Sequence, residues 1–228
     1  MFADIARRTA VASLALGALF LAAWASNPSA TTGSTGDSLP AHPVVVAIGD
    51  SIMKGHGLPA SQAWPAIIGA ANHWTVHNLA CDGAGFKTVG APYDCAATFD
   101  ALVQKAEEMK PDIVLISGSS NDLGTRNDTL SNATVAALHS LRTENPHALI
   151  IGISTVWGDT ATPPQIDDIN DQVSAAVDAV RGLYLSIGQP LAHHRSWLQS
   201  DDVHPTAEGQ RVLAKVISRA LRSANVLT

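Results

Sequence analysis

The chain has 228 residues, of which 46% are hydrophobic, and a formal net charge of −6, which is typical of one globular domain rather than of a disordered chain. An acidic chain lacks the basic face that nucleic acids and anionic membrane surfaces require, so neither is expected as the main partner. Five Trp, two Tyr and four Phe are too few for a base-stacking platform, and two cysteines are too few for a zinc finger.

The first 25 residues are typical of a secretory signal peptide. Arg7 and Arg8 precede an apolar run over residues 11–24, which ends in the small–x–small sequence Ala23-Trp24-Ala25. The run is shorter than the roughly 20 residues that a membrane span needs, so an uncleaved anchor is the alternative. The sequence therefore predicts a secreted or extracytoplasmic protein that meets a membrane only if this leader is retained.

Residues 26–43 are predicted to be a flexible tether. Ser, Thr, Gly and Pro make up 12 of these 18 residues, and no periodic apolar face is present. The folded domain is therefore expected over residues 44–228. Export would place Cys81 and Cys95 in an oxidising compartment, so a disulfide between them is predicted, and two small buried thiols are the alternative.

Short apolar runs alternate with helical patterns throughout the folded region. The candidate strands, rich in Val and Ile, are Val44–Ile48, Thr75–Leu79, Ile113–Ser117, Leu149–Ser154 and Leu183–Ser186. Their nearly continuous apolarity is typical of parallel strands buried on both faces. Pro164 is expected in the first turn of one helix, and the last helix is expected to begin near Thr206. The pattern predicts an α/β domain, namely a three-layer α/β/α (flavodoxin-like) fold with a five-stranded, mainly parallel sheet.

Ligands of such sheets bind at the carboxyl ends of the strands, and the first strand is followed by a serine. The loop reads Gly49-Asp50-Ser51-Ile52, so the hydroxyl is expected beside backbone N–H groups that can stabilise an oxyanion. A closer match to the letters GDSL, Gly36-Asp37-Ser38-Leu39, lies in the tether with no strand before it. Context therefore selects Ser51 rather than Ser38.

A serine nucleophile needs a base, and the base needs an orienting acceptor. Asp201 and His204 lie three residues apart just before the last helix, a spacing that lets the carboxylate reach Nδ1 while Nε2 faces a nucleophile. Asp202 is the alternative orienting residue. The adjacent His193 and His194 have no Asp, Glu or Cys in ligand spacing, so they are expected to be surface residues and no metal is predicted.

Two further loops carry candidate oxyanion donors. Gly83 follows the second strand, and a glycine there lets its N–H approach a ligand closely. Asn121 follows the third strand, and its side-chain amide can donate to an oxyanion. Both positions have a structural alternative, because Gly83 also fits an ordinary turn and Asn121-Asp122 also fits a turn cap.

Four segments together resemble the SGNH, or GDSL-type, hydrolase family, in the family's order and over nearly all of the folded region. They are Gly49–Ile52, Asn78–Gly85, Gly118–Asp122 and Asp201–Pro205. Trp64-Pro65 at the start of a helix is also similar to the family. Two positions depart from its pattern, because Ile52 and Ser119 stand where the family usually has Leu and Gly.

The resemblance implies a role for each of these residues. Ser51 would be the nucleophile, His204 the base and Asp201 the acid that orients it. The Ser51 N–H, the Gly83 N–H and the Asn121 amide would form the oxyanion hole. The resemblance thus implies a carboxylic ester hydrolase that works through an acyl-enzyme and needs no cofactor.

Two other motifs in the sequence favour other classes of protein only weakly. Ser51-Ile52-Met53-Lys54 matches S-x-x-K of β-lactamases, but no Lys-Thr-Gly or Ser-Asp-Asn segment accompanies it. Residues 55–60 match G-x-G-x-x-A, yet Pro59 interrupts the helix start that a dinucleotide site needs. An α/β-hydrolase is disfavoured because no G-x-S-x-G elbow exists. An extracytoplasmic module that binds a ligand without turning it over remains the non-enzyme alternative.

The sequence leaves the substrate open. The expected partner is a small-molecule or polysaccharide ester, with short-chain or carbohydrate-linked acyl groups favoured because the short connections leave little sequence for a lid. Lysophospholipase, thioesterase and cell-wall glycan O-acyltransferase activities are the alternatives. Trp157, in the loop after the fourth strand, is predicted to line the substrate pocket, and packing on its own loop is the alternative. A monomer is expected.

Overall fold

The computed structural model describes residues 39–227. The predicted signal peptide, residues 1–25, and residues 26–38 of the predicted tether lie outside this range. The strands are β1 (Val44–Ile48), β2 (Thr75–Asn78), β3 (Ile113–Ser117), β4 (Leu149–Ile153) and β5 (Leu183–Leu185). The helices are α1 (Ser51–Lys54), α2 (Trp64–Asn72), α3 (Phe99–Glu108), α4 (Asn127–Glu144), α5 (Gln165–Ala179) and α6 (Ala207–Ser223).

All five predicted strands are present in one sheet. Two have the predicted bounds, and the other three end one residue earlier. The order is β2-β1-β3-β4-β5 with every neighbouring pair parallel, which is the flavodoxin-like order. From β1 the chain first adds β2 on one side and then returns to add β3, β4 and β5 on the other side of β1. Ligands of such folds bind at this switch point, between β1 and β3. The loops after β1 and β3 are therefore neighbours by topology alone.

Helices cover both faces of the sheet, which makes the fold a three-layer α/β/α sandwich. Val46 and Ile48 of β1 pack in one core with α3, α4 and α5. Val45 and Ala47 of the same strand pack in a second core with α2 and α6. Alternate side chains of a strand point to opposite faces, so one apolar strand sequence supplies both cores.

The second strand corrects the expectation that every strand is buried on both faces. Thr75 and His77 are exposed, and only the opposite face of β2 is half-buried. The reason is that β2 is an edge strand, paired with β1 alone and covered on one side by α2. Gly69 of α2 permits this contact, because a Cβ there would lie 2.4 Å from Cγ2 of Val76.

The two helix starts predicted near Pro164 and Thr206 agree with the structure to within a residue. Pro164 is the N-cap of α5 rather than a residue of its first turn, and Thr206 caps α6 by accepting a hydrogen bond from Gly209 N. Across residues 39–227, none of the helices combines the length and the apolarity needed to cross a membrane.

Candidate active site

Ser51 is held at the carboxyl edge of the sheet by a tight cap. It is the first residue of α1, directly after β1 and the Gly49-Asp50 loop, and it is mostly buried. Asp50 is the N-cap, and its Oδ1 accepts a hydrogen bond from Ile52 N at 3.0 Å. The helix lasts one turn and ends at Gly55, whose φ of 79° is left-handed, a conformation that glycine adopts without strain.

The structure brings His204 and Asp201 to this serine. The Ser51 hydroxyl lies 2.9 Å from Nε2 of His204, and Nδ1 of His204 lies 2.7 Å from Oδ2 of Asp201. A carboxylate at Nδ1 fixes the proton on that nitrogen, which leaves Nε2 as the acceptor for the serine hydroxyl. The three residues thus form a continuous hydrogen-bonded relay from Asp201 to Ser51.

Asp201, and not its neighbour Asp202, contacts the histidine. Oδ1 of Asp201 also accepts hydrogen bonds from the backbone N–H groups of Val203 and His204, each at 3.0 Å. The hydrogen bonds from His204 and Val203 hold the pKa of Asp201 well below its usual range. Asp202 has a left-handed φ of 64° and pairs with Arg195 instead. The alternative left open by the sequence is thereby decided by the turn of the loop.

The two candidate oxyanion loops meet beside Ser51. Cys81 N donates to Gly49 O at 3.0 Å, which continues the β1–β2 ladder and brings the loop after β2 next to the loop after β1. Gly83 has a left-handed φ of 73°. Within residues 39–227, the N–H groups of Gly83 and Ser51 have no protein acceptor. Asn121 donates one amide N–H to Ala84 O at 3.0 Å, and a primary amide carries a second.

Asp122 is a supporting residue that sequence reasoning treated only as a turn cap. It is fully buried, and its carboxylate accepts hydrogen bonds from the N–H groups of Phe86, Lys87 and Thr88 at 2.7–3.0 Å. A Cβ on Gly85 would lie 2.5 Å from this carboxylate, so only glycine fits there. Asp122 therefore fastens the loop after β2 to the segment that carries Asn121.

Ser119 explains one departure from the family's pattern. Its buried hydroxyl lies 2.9 Å from Oδ2 of Asp50 and 2.9 Å from Ala84 O, and it accepts a hydrogen bond from Asn121 N at 3.1 Å. The hydroxyl has one proton to share between its two acceptors. Burial raises the pKa of the Asp50 carboxyl, and the hydrogen bond from Ser119 opposes that rise. Ser119 thus links the cap of the Ser51 helix to the Asn121 segment.

A small, mainly apolar cleft of about 60 Å³ lies beside Ile52, the residue that follows Ser51. Its walls include Ile52, Val156, Trp157 and Val203, so the residue predicted from the loop after β4 does line a pocket. The alternative for Trp157 also applies, because its indole Nε1 donates to Thr160 Oγ1 of the same loop at 3.1 Å. That hydrogen bond fixes the ring that faces the cleft.

On another side of His204 lies a charged group that the sequence did not reveal. Cys81 and Cys95 form the predicted disulfide, and the residues next to them, Asp82 and Asp94, both contact Lys54. Burial alone would lower the pKa of Lys54, but the hydrogen bond to Asp94 and the two carboxylate charges raise it above its ordinary value. The lysine of the S-x-x-K match therefore serves an ion-pair network.

His56 contacts Asp82 of this charged group, and sequence reasoning missed it. Its Nδ1 lies 2.7 Å from Oδ2 of Asp82, and its ring stacks on that of His204 with centroids 4.1 Å apart. The only available signal was a histidine five residues after Ser51. His193 and His194 are exposed, and His194 stacks on Trp197.

Comparison with solved structures shows that other proteins share this fold. The chain is 20% identical to TesA over 79% of this chain and 98% of that chain, with a TM-score of 0.64. It is 16% identical to a family two carbohydrate esterase from Cellvibrio japonicus, over 81% and 62% of the two chains, with a TM-score of 0.63. It is 18% identical to the salicylyl-acyltransferase SsfX3, over 83% and 57%, with a TM-score of 0.66. At these identities the likeness concerns the fold alone.

The family comparison is more specific. No curated protein matches the sequence. The model of the GDSL-like Lipase/Acylhydrolase family matches residues 47–212, a range that contains Ser51, Gly83, Asn121, Asp201 and His204. Because this match spans well over half of the chain, the protein belongs to the GDSL-like lipase/acylhydrolase family and is an ester hydrolase.

Proposed function

We propose that the protein is an exported serine ester hydrolase that acts through an acyl-enzyme on short-chain or carbohydrate-linked acyl esters. The observation that carries the proposal is the relay in which His204 lies 2.9 Å from the Ser51 hydroxyl and 2.7 Å from Asp201. A ligand-binding module has no need of a nucleophile, a base and an orienting acid in hydrogen-bond contact. The relay therefore favours turnover over binding alone.

The proposed reaction has two halves, the formation of the acyl-enzyme and its hydrolysis. Nε2 of His204 takes the Ser51 proton as Oγ attacks the ester carbonyl, and the N–H groups of Ser51 and Gly83 with the Asn121 amide bind the oxyanion. The tetrahedral intermediate then collapses, and His204 gives the proton to the departing alcohol. In the second half His204 takes a proton from water as the water oxygen attacks the acyl-enzyme carbonyl. The bond between the carbonyl carbon and Oγ then breaks, and His204 returns the proton to Ser51 as the carboxylic acid leaves.

The cleft beside Ile52 supports short acyl groups. Its volume of about 60 Å³ is well below the roughly 300–1,000 Å³ range of small-molecule sites, so it has room for a short acyl group only. Ile52 and Val203 offer apolar walls, and Trp157 offers an aromatic face suited to an acyl chain or a sugar ring. The similarity in fold to the carbohydrate esterase from Cellvibrio japonicus accords with a carbohydrate-linked ester.

Export is proposed from the leader pattern of residues 1–25 together with the disulfide between Cys81 and Cys95. Disulfides persist in oxidising compartments and are rare in reducing ones. The measurement is the mass of the mature protein recovered from the extracellular or envelope fraction. A mass that corresponds to a chain beginning at Ser26 supports cleavage after Ala25, and the mass of the full chain contradicts cleavage.

Acyl transfer is the second candidate function. An acyl-enzyme partitions between water and any other hydroxyl that reaches it, and the Asp201 side of the site is open to solvent, with 43% of that side chain exposed. The fold is also shared with the salicylyl-acyltransferase SsfX3. Product analysis with a glycan acceptor distinguishes the two, since transfer forms a new ester and hydrolysis forms only the acid.

The decisive test is a panel of acetyl, butyryl and decanoyl esters, acetylated xylan and acetylated peptidoglycan, with Ser51→Ala as the blank. We expect the wild type to favour the short or carbohydrate-linked esters and Ser51→Ala to lose all activity. Ser38→Ala is the matched control, because Ser38 lies in the other GDSL sequence, and it should keep full activity. Loss of activity in Ser38→Ala with retention in Ser51→Ala would refute the assignment.

A further inference from the structure

A second His–Asp pair lies against the proposed base. Nδ1 of His56 lies 2.7 Å from Oδ2 of Asp82, and its ring is stacked on the His204 ring at a centroid distance of 4.1 Å and an angle of 30°. His204 is thereby constrained on three sides, by Asp201 at Nδ1, by Ser51 at Nε2 and by His56 on one face of the ring.

His56 is itself held on both its ring and its backbone. Asp82 exposes only 9% of its side chain and also receives the Lys54 ammonium at 3.5 Å. The amide Nε2 of Gln199 donates to His56 O at 2.7 Å and to Pro205 O at 3.0 Å. Since Pro205 follows His204 in the chain, one amide group ties the backbones of the two stacked histidines together.

The Cys81–Cys95 disulfide lies next to the two carboxylates that contact Lys54. Asp82 and Asp94 each adjoin a half-cystine, Oδ2 of Asp94 accepts from Asp82 N at 2.8 Å, and Lys54 contacts Oδ2 of Asp94 at 2.5 Å. Hydrogen bonds from Lys54 and the backbone lower the pKa of Asp94 against the opposing effect of burial. A chain of contacts therefore runs from the disulfide through Asp94, Lys54 and Asp82 to His56.

We infer that His56 is a positioning residue for His204, held in place by Asp82 and acting through the stacked rings. The inference rests on the proposed function. Nδ1 of His56 is occupied by Asp82, and across residues 39–227 His56 makes no hydrogen bond to Ser51. His56 therefore contacts His204 through the face of its ring. His204 must keep one orientation while it takes a proton from Ser51 and returns it to the leaving group, and small misplacements of such groups reduce rates strongly.

The experiment compares His56→Ala with His56→Phe in steady-state hydrolysis of an acetyl ester. His56→Ala removes the stacked ring, and we expect kcat to fall by about tenfold with KM within about twofold of the wild type. His56→Phe keeps an aromatic ring without the imidazole nitrogens, and kcat should recover to within about threefold of the wild type. His147→Ala is the control, because His147 is exposed in the turn before β4, at the opposite edge of the sheet.

The result that would overturn the inference is a wild-type kcat in His56→Ala, or a His56→Phe variant as slow as His56→Ala. If His56→Ala does not fold, Asp82→Asn provides a second test, since it keeps the ring and removes the charge that holds it. We expect a several-fold lower kcat in Asp82→Asn, and an unchanged kcat would count against the inference. Hydrolysis that survives Ser51→Ala would instead refute the proposed function, so the two failures are distinguishable.

Discussion

Two His–Asp pairs with the same short contact lie side by side in this protein, and they differ in what surrounds them. Nδ1 to Oδ2 is 2.7 Å in both the His204–Asp201 pair and the His56–Asp82 pair. Asp201 is 43% exposed, whereas Asp82 is 9% exposed and its Oδ1 is buried without a hydrogen-bond partner within residues 39–227. Only His204 reaches Ser51. The comparison teaches that the geometry of a pair does not identify a proton relay, whereas its position relative to the nucleophile does.

The difference in surroundings also separates the tasks that each carboxylate can perform. Asp201 is stabilised by two backbone N–H groups as well as by the imidazole, so it can remain charged at a solvent-exposed edge and stabilise an imidazolium. Asp82 has the Lys54 ammonium beside it, and its Oδ2 lies 2.7 Å from Nδ1 of His56. One pair is suited to chemistry and the other to rigidity.

The largest expected effect separates the two carboxylates directly. Asp201→Asn should lower kcat/KM by about 10³–10⁴-fold, because an amide favours the wrong histidine tautomer and cannot stabilise the imidazolium. Asp202→Asn is the matched control from the same loop. Since Asp202 pairs with Arg195, it should keep near-wild-type kinetics. Equal losses in Asp201→Asn and Asp82→Asn would erase the distinction between the two pairs.

A smaller loss is expected at a group that belongs to neither pair. Asn121→Ala should lower kcat by about 10²–10³-fold through loss of one oxyanion donor. Because Asn121 also donates to Ala84 O, the melting temperature is measured with the kinetics to separate a loosened loop from a lost donor. A kcat within about threefold of the wild type in a folded Asn121→Ala variant would remove Asn121 from the oxyanion hole.

Removal of the Cys81–Cys95 disulfide tests whether the position of the His56–Asp82 pair depends on it. The double variant Cys81→Ala/Cys95→Ala should lower the free energy of unfolding by about 3 kcal/mol, because the disulfide closes a loop of about 15 residues. Urea unfolding measures this loss. We also expect kcat to fall several-fold with KM retained, since Asp82 and Asp94 adjoin the two cysteines. A loss of stability with an unchanged kcat would show that the buried pair does not rely on the disulfide.

The smallest effect concerns the pH dependence of stability. The pKa of Asp201 is depressed in the folded protein, so the stability it contributes is present above the unfolded pKa of about 3.9 and is lost as pH falls towards the folded value. The contribution should be less than about 1 kcal/mol, because the side chain is partly exposed and screened. Urea unfolding of the wild type and Asp201→Asn should differ at neutral pH and converge in strong acid. A difference that grows on acidification would contradict the assigned sign.

Much of the fold follows from local patterns that act over a few residues. The five apolar runs predicted the strands to within one residue, because continuous apolarity suits strands with a helix layer on each side. The pattern misjudged β2, whose exposed Thr75 and His77 reflect its place at the sheet edge. Strand order is a property of the whole sheet, and no single segment carries it.

The sequence by itself determined which segments could carry the site, because Ser51, Gly83, Asn121 and His204 each follow a strand or precede a helix in a sheet with one reactive edge. Only the tertiary structure decided between Asp201 and Asp202, through a backbone turn that directs one to His204 and the other to Arg195. It also decided that a histidine five residues from Ser51 stacks on a histidine 148 residues further along the chain. Such contacts between distant residues depend on how the loops after separate strands pack against each other. The local conformational preferences of the sequence do not determine that packing.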